Sequence, residues 1–208
     1  MQEQQKMETG TTTVGIVYKD GVVLASESKS TLGFLVSSKE SKKIYQIDDN
    51  IAVTTAGGSG DSQALVRLLK AEINLYKLTR GNVFTVKATA SLLSNILQGS
   101  RYYPYYSMMI IGGIDKSGPH VFSIDMLGGY ERDKYTSTGS GSPMAYGVLE
   151  DGFKENMTKE EAIKIAVRAI RSARERDVFS GGKFIVVATI DSQGLKFVEE
   201  EKIKELAK

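Results

Sequence analysis

The chain has no cysteine and a single histidine among its 208 residues. Without a thiol it can build no cysteine nucleophile, no Cys-ligated zinc or iron–sulfur centre and no disulfide framework. With His120 alone, sites made of several imidazole ligands and HExxH helices are excluded, and a Ser-His-Asp triad could use only that residue. His120 lies in Ser117-Gly118-Pro119-His120-Val121, where a turn feeds a strand, and it reads as a surface histidine. No apolar run is long enough to span a bilayer. The first ten residues are polar and lack the basic start and apolar centre of a secretory signal. Charge of one sign is missing too. The 27 basic and 25 acidic residues are mixed along the chain, net +2, and leave no nucleic-acid or membrane footprint.

What is present is 41% hydrophobic residues without a break in composition, enough for one filled core in one globular domain. Two strands, Thr13 to Lys19 and Val22 to Glu27, flank Asp20-Gly21, a dipeptide that favours the positive φ of a tight hairpin. A second pair, Lys43 to Ile47 and Ile51 to Thr55, flanks Asp48-Asp49-Asn50. The period then changes. Ala64, Leu65, Leu68, Leu69, Ile73 and Tyr76 recur at helical spacing, with Asp61 or Ser62 as the cap, and a second helix runs from Val86 to Leu97.

Met108 to Ile114 and Val121 to Ile124 read as strands, interrupted by Gly112-Gly113 and by Lys116-Ser117-Gly118-Pro119. Thr158-Lys159-Glu160-Glu161 is a capping box that opens a helix with Ala162, Ile165, Ala166, Ala169 and Ile170 on one face. Phe184 to Ile190 and Leu195 to Val198 complete the strands. This order does not give a parallel doubly wound sheet. It suits an α+β layering, either two face-to-face sheets with helices outside both or one sheet with helices on one side.

Against this background Gly10-Thr11-Thr12-Thr13-Val14-Gly15 draws notice. Cutting the Gly10–Thr11 bond would leave an N-terminal threonine, which carries a nucleophile and a base on one residue. Its hydroxyl needs something to take the proton, and a free α-amine titrating near ~8 can do so at neutral pH without a histidine. By itself a threonine run is commonly just a half-buried strand.

More of the chain follows the same pattern. After Gly10 to Gly15 come Lys19-Asp20-Gly21-Val22-Val23-Leu24-Ala25, Lys42-Lys43-Ile44-Tyr45-Gln46-Ile47 and Thr54-Thr55-Ala56-Gly57. Gly139-Ser140-Gly141-Ser142, Tyr146-Gly147-Val148-Leu149-Glu150, Arg176-Asp177 and Ser180-Gly181-Gly182 follow in order. This ordered set closely resembles proteasome β subunits, most of all the archaeal type, and spans nearly the whole chain. The resemblance implies an N-terminal-nucleophile hydrolase fold, a four-layer αββα sandwich of two antiparallel sheets flanked by helices. It also implies a propeptide, residues 1–10, removed autocatalytically from a catalytic domain, residues 11–208.

In that reading Thr11 is the nucleophile and its α-amine the base. Lys43 lies beside the hydroxyl, where its charge favours the alkoxide, and Glu27 holds Lys43 in place. The N–H of Gly57 donates to the developing oxyanion. Ser140, Asp177 and Ser180 complete the site around the Thr11 amine and a water. Read without the resemblance, Lys43 is a solvated lysine beside Lys42, Ser140 a helix cap, and Asp177 a charge closing a helix rich in arginine. The pocket nearest the cleaved bond is lined by Ser30, Thr31, Ser41, Thr55 and Ser59, small and polar, with cleavage after apolar residues as the expectation.

Two positions depart from the pattern. Lys29 stands where many members have arginine, which weakens the expected bidentate hydrogen bonding near the acid. Ile185 stands where an aspartate is frequent. The resemblance further implies a cytoplasmic threonine endopeptidase that needs no metal or cofactor. It works in stacked heptameric rings with α subunits and other β subunits, fed unfolded polypeptide by an unfoldase ATPase docked on the α rings. The alternative is a catalytically silent, unprocessed structural β subunit of the same rings. A related two-ring bacterial protease fits the match around Gly139 to Glu150 less well.

Overall fold

A computed structural model describes residues 10–206, so the expected leader lies outside the described residues except for Gly10. The chain enters β1 (Thr13–Tyr18) and returns as β2 (Gly21–Glu27), an antiparallel hairpin closed between Tyr18 and Gly21. Neither Asp20 nor Gly21 takes the positive φ expected of that turn. Glycine is needed at 21 for closeness instead: a Cβ there would strike the Ile190 carbonyl and the Tyr18 hydroxyl.

With β10 (Tyr135–Thr138), β11 (Ile185–Asp191) and β12 (Gly194–Phe197) this hairpin forms an antiparallel sheet ordered β10-β1-β2-β11-β12. The second sheet is a meander of β5 (Ile44–Asp48), β6 (Ile51–Gly57), β7 (Ser107–Asp115), β8 (Gly118–Ile124) and β9 (Tyr130–Asp133). A small hairpin, β3 (Ser30–Leu32) with β4 (Leu35–Ser38), stands apart from both.

Period-two alternation explains the layering. On β2, Val23 and Ala25 face one core while Val22 and Leu24 face another; on β6 and β7, Ile51, Val53, Met109 and Ile111 point away from Ala52 and Ile110. Val22, Leu24, Ala52, Ile110, Val121 and Ile190 fill the space between the sheets. Outside the second sheet lie α1 (Ser59–Arg80) and α2 (Val86–Gly99), whose Leu65, Leu69, Ile73 and Leu93 are completely buried. Each such side chain contributes roughly 1.5–3 kcal/mol. Outside the first sheet lie α3 (Ser142–Gly152), α4 (Lys159–Arg176) and α5 (Glu200–Leu206). The four-layer αββα arrangement of two antiparallel sheets flanked by helices is therefore what the chain adopts.

Several local expectations change. Helix α1 starts at Ser59 with Gly58 as its N-cap, not Asp61 or Ser62. Those two side chains tie the helix start to β7 and its approach: Asp61 Oδ2 accepts from Tyr106 N at 2.7 Å and Ser62 Oγ meets Ser107 Oγ at 2.9 Å. Gly112-Gly113 does not break β7. A Cβ at 112 would sit 2.9 Å from both Leu24 Cδ2 and Val22 Cγ1 of the opposite sheet, so this glycine allows the sheets to approach. Thr158 caps α4 in the capping box that the sequence shows.

Candidate active site

In the segment before β1, Thr11 meets polar groups from the residue before β5 and from the turn after β10. Thr11 is 4% exposed. Glu27, the last residue of β2, is fully buried, and Lys43 enters just before β5 at 6% exposure. Lys43 Nζ donates to Thr11 Oγ1 at 2.6 Å and to Glu27 Oε1 at 2.5 Å. The Thr11 hydroxyl in turn donates to the Gly10 carbonyl at 2.6 Å, so it lies against the bond that precedes it.

Burial pushes the Lys43 ammonium below its ordinary value, and Glu27 acts in the opposite direction. The result is a lysine held in contact with the hydroxyl whose proton is easier to exchange than in water. Glu27 is itself pinned: Oε2 accepts from Lys29 N at 2.6 Å and Gly181 N at 3.0 Å, and Oε1 from Thr12 N at 3.4 Å. These contacts answer the solvated reading of Lys43, because its ammonium is held by Thr11 and Glu27 with the side chain only 7% exposed.

On the other side of Thr11 sits a carboxylate with two hydroxyls on it. Asp177 follows α4 as its C-cap residue, and its Oδ2 accepts from Ser140 Oγ at 2.6 Å and Ser180 Oγ at 2.6 Å. Thr11 N donates to Ser140 Oγ at 3.2 Å, which links the Thr11 nitrogen to that carboxylate. Ser140 is not a helix cap, since Gly141 holds that position without any side-chain bond. The flanking glycines have a steric cause. A Cβ at Gly139, whose φ is +94°, would run into the Thr11 carbonyl, and one at Gly141 into Thr12 Oγ1. The motif Gly-Ser-Gly thus lets one chain segment lie directly on another with a single hydroxyl between them.

All five pocket residues named from the sequence, Ser30, Thr31, Ser41, Thr55 and Ser59, line one cleft of about 950 Å³ together with Thr11 and Gly57. Gly57 has φ +127°, a conformation that side chains disfavour, and a Cβ would meet the Tyr106 carbonyl. Thr31 Oγ1 is buried without a hydrogen-bond partner among the described residues. The structure therefore brings together every residue the sequence singled out for the site.

Sequence reasoning overlooked others. Thr12 is fully buried and its Oγ1 lies 2.6 Å from Ser180 Oγ, yet within a threonine run it carried no signal of its own. Lys29 does not reach Glu27 through its side chain: Nζ donates to the carbonyls of Val178 at 2.5 Å and Ser180 at 3.3 Å. Lys29 thus steadies the loop bearing Ser180. Tyr45, Gln63 and Tyr106 also line the cleft. His120 is not at the surface: it is 6% exposed on β8, with Nε2 at 2.7 Å from Ser117 Oγ and 3.5 Å from Asp115 Oδ1. Its ring lies 6.2 Å from that of Phe122, and Asp115 ties the turn at 116–117 to the start of α2, where its Oδ2 accepts from Val86 N at 3.0 Å. Among the described residues no cluster of histidine, aspartate and glutamate could hold a metal, and no helix is long and apolar enough to cross a membrane.

A family model described as proteasome subunit matches residues 7–190. The chain is 50% identical over 205 residues to the proteasome subunit beta of Methanoregula boonei, covering 98% of this chain and 95% of that one. It is 54% identical over 194 residues to the subunit beta of Methanospirillum hungatei, with 92% and 93% covered. To the subunit beta of Methanocaldococcus fervens it is 50% identical over 199 residues, with 95% and 88% covered.

Proposed function

This chain belongs to the proteasome subunit family as a β subunit of the archaeal 20S type, and from that premise we propose that it is a threonine-type endopeptidase activated by its own cleavage at Gly10–Thr11. The observation that carries this reading is the buried contact of Lys43 Nζ with Thr11 Oγ1 at 2.6 Å, beside the Gly10 carbonyl on which the same hydroxyl rests.

In the first turnover Thr11 Oγ bonds to the Gly10 carbonyl carbon, and the hydroxyl proton is passed to the Thr11 nitrogen as the C–N bond breaks. An ester links Gly10 to Thr11, and water hydrolyses it to a Gly10 carboxylate and a free Thr11 amine and hydroxyl. Residues 1–10 are then the propeptide and residues 11–208 the catalytic domain. Later turnovers repeat the attack on substrate. The Thr11 amine takes the hydroxyl proton through a water, Lys43 favours the alkoxide, and the Gly57 N–H meets the oxyanion. Ser140 and Ser180 hold Asp177 beside the amine, and Glu27 fixes Lys43. Ser30, Thr31, Ser41, Thr55 and Ser59 receive the side chain nearest the cleaved bond.

Membership of the family implies assembly into rings with other subunits. We assign the chain to stacked heptameric rings of α and β subunits in the cytoplasm, with an unfoldase ATPase on the α rings supplying unfolded polypeptide. The test is the intact mass of the chain before and after mixing with its α partner, with the N-terminal residue determined in the assembled particle. A new terminus at Thr11 that is lost, together with peptide hydrolysis, in Thr11→Ala is the expected result. A persistent Met1 terminus in a particle that still hydrolyses peptides would overturn it.

A further inference from the structure

We propose that Thr12 is a positioning residue of this site, its hydroxyl locking the nucleophile segment to the Ser180–Asp177 cluster; the inference rests on the functional reading above. Three observations carry it.

The first is a count of hydrogens. Ser140 and Ser180 each direct their hydroxyl proton to Asp177 Oδ2, at 2.6 Å in both cases. The Ser180 oxygen is therefore left as an acceptor, and the only proton available for its 2.6 Å contact with Thr12 is that of Thr12. The chain of donors runs from Thr12 through Ser180 to the carboxylate, and each bond polarises the next.

The second is where Thr12 stands. It is covalently next to Thr11, its N–H points to Glu27 Oε1 at 3.4 Å, and its carbonyl accepts from Glu27 N at 3.4 Å. One residue thereby touches both halves of the site: the Glu27–Lys43 pair through its backbone and the Asp177 cluster through its side chain. Thr11 lies between the two, with its hydroxyl on Lys43 and its nitrogen on Ser140. Without the Thr12 hydroxyl the nucleophile's position relative to Asp177 depends on longer contacts, those of Thr11 with Ser140 Oγ at 3.2 and 3.4 Å and with Gly141 N at 3.4 Å.

The third is dryness. Thr12 is 0% and Ser180 3% exposed, so water does not replace a lost donor, whereas Ser140 at the other end of the cluster faces solvent. A buried acceptor deprived of its partner is costly, and the loop that carries Ser180 also presents Gly181 N to Glu27. A defect at Thr12 therefore spreads to both halves. Gly141 is glycine for the same reason, since a Cβ there would occupy the space of Thr12 Oγ1.

The test uses full-length Thr12→Val and Thr12→Ser in particles assembled with the α partner, alongside Thr11→Ala. Turnover of a fluorogenic peptide, particle mass and the N-terminal residue are measured. Thr12→Val is expected to lower kcat at least tenfold with KM within twofold, because the cleft lining is untouched, and Thr12→Ser to restore kcat to within threefold. A valine variant that keeps its leader while the serine variant sheds it supports the same role in the first turnover. Equal kcat for valine and parent, or equal loss in valine and serine, overturns the proposal even if Thr11→Ala is inert. Peptide hydrolysis by Thr11→Ala would overturn the underlying reading and this one with it.

Discussion

Replacing Lys43 by alanine separates what this lysine does for the fold from what it does for chemistry. The side chain is 7% exposed and its partner Glu27 0%, with 2.5 Å between them. Removing one member of a buried pair leaves the other charge uncompensated, which costs about 3–5 kcal/mol. Three backbone N–H groups still reach the Glu27 carboxylate, at 2.6, 3.0 and 3.4 Å, so the lower part of that range is expected. For a chain of this size about 3 kcal/mol lowers the apparent melting midpoint by roughly 6–12 °C. Glu27→Gln in the same chain removes the stranded charge and keeps an acceptor for Lys29 N or Gly181 N. The double variant Lys43→Ala, Glu27→Gln is therefore expected to melt above Lys43→Ala alone. Activity follows a different rule. Without a cation at 2.6 Å from Thr11 Oγ1, peptide turnover in the assembled particle is expected to fall at least a hundredfold, about 2.7 kcal/mol of barrier, in the single and double variants alike. Thermal unfolding and fluorogenic peptide assays on particles of matched mass read the two effects separately. A double variant no more stable than Lys43→Ala would refute the stranded-charge argument, and turnover within a few-fold of the parent would refute the role given to the lysine.

His120 gives a pH dependence with a definite sign. Burial and the nearby Arg132 hold it below its ordinary value of 6.5, against the opposing effect of Asp115. As pH falls below about 6.5 the unfolded chain takes up a proton that the folded chain declines, so stability present above that pH is lost through the window beneath it. His120→Gln is expected to flatten the melting profile between neutral pH and that window, and an unchanged slope would assign the effect to other groups. Gly141→Ala places a Cβ on Thr12 Oγ1 and 2.8 Å from Ala173 Cβ, an overpacking expected to cost about 1–3 kcal/mol and to slow leader removal, checked by melting and N-terminal sequencing.

Much of the architecture was legible because it follows from patterns with short range. Alternation on β2 and β6, helical spacing from Ala64 to Tyr76 and the capping box at Thr158 each depend on residues a few positions apart. What went unseen was short or punctuated. The hairpin of β3 and β4 has three and four residues and exposes Leu32, Phe34 and Leu35, so no alternation marks it. Strand β9, Tyr-Glu-Arg-Asp, is a polar edge, and α3 contains Gly147 and has Pro143 in its first turn. Glycines were read as turn formers, whereas Gly21 and Gly112 are there so that other segments can come close.

The order and types of residues limited which chemistry was open. An absence of cysteine, one histidine and a threonine after glycine narrowed the nucleophile, and an ordered set of motifs named the companions. Which of them meet depends on the packing of the folded chain. Thr11 and Asp177 are far apart in the chain but share Ser140, through bonds of 3.2 and 2.6 Å, because the segment entering β1 meets the turn before α3 and that turn meets the C-cap of α4. The burial of His120 and the tie from Thr12 to Ser180 have the same origin: each is a contact between distant segments, fixed by how the two sheets and their helices pack, and no local pattern of residues encodes it.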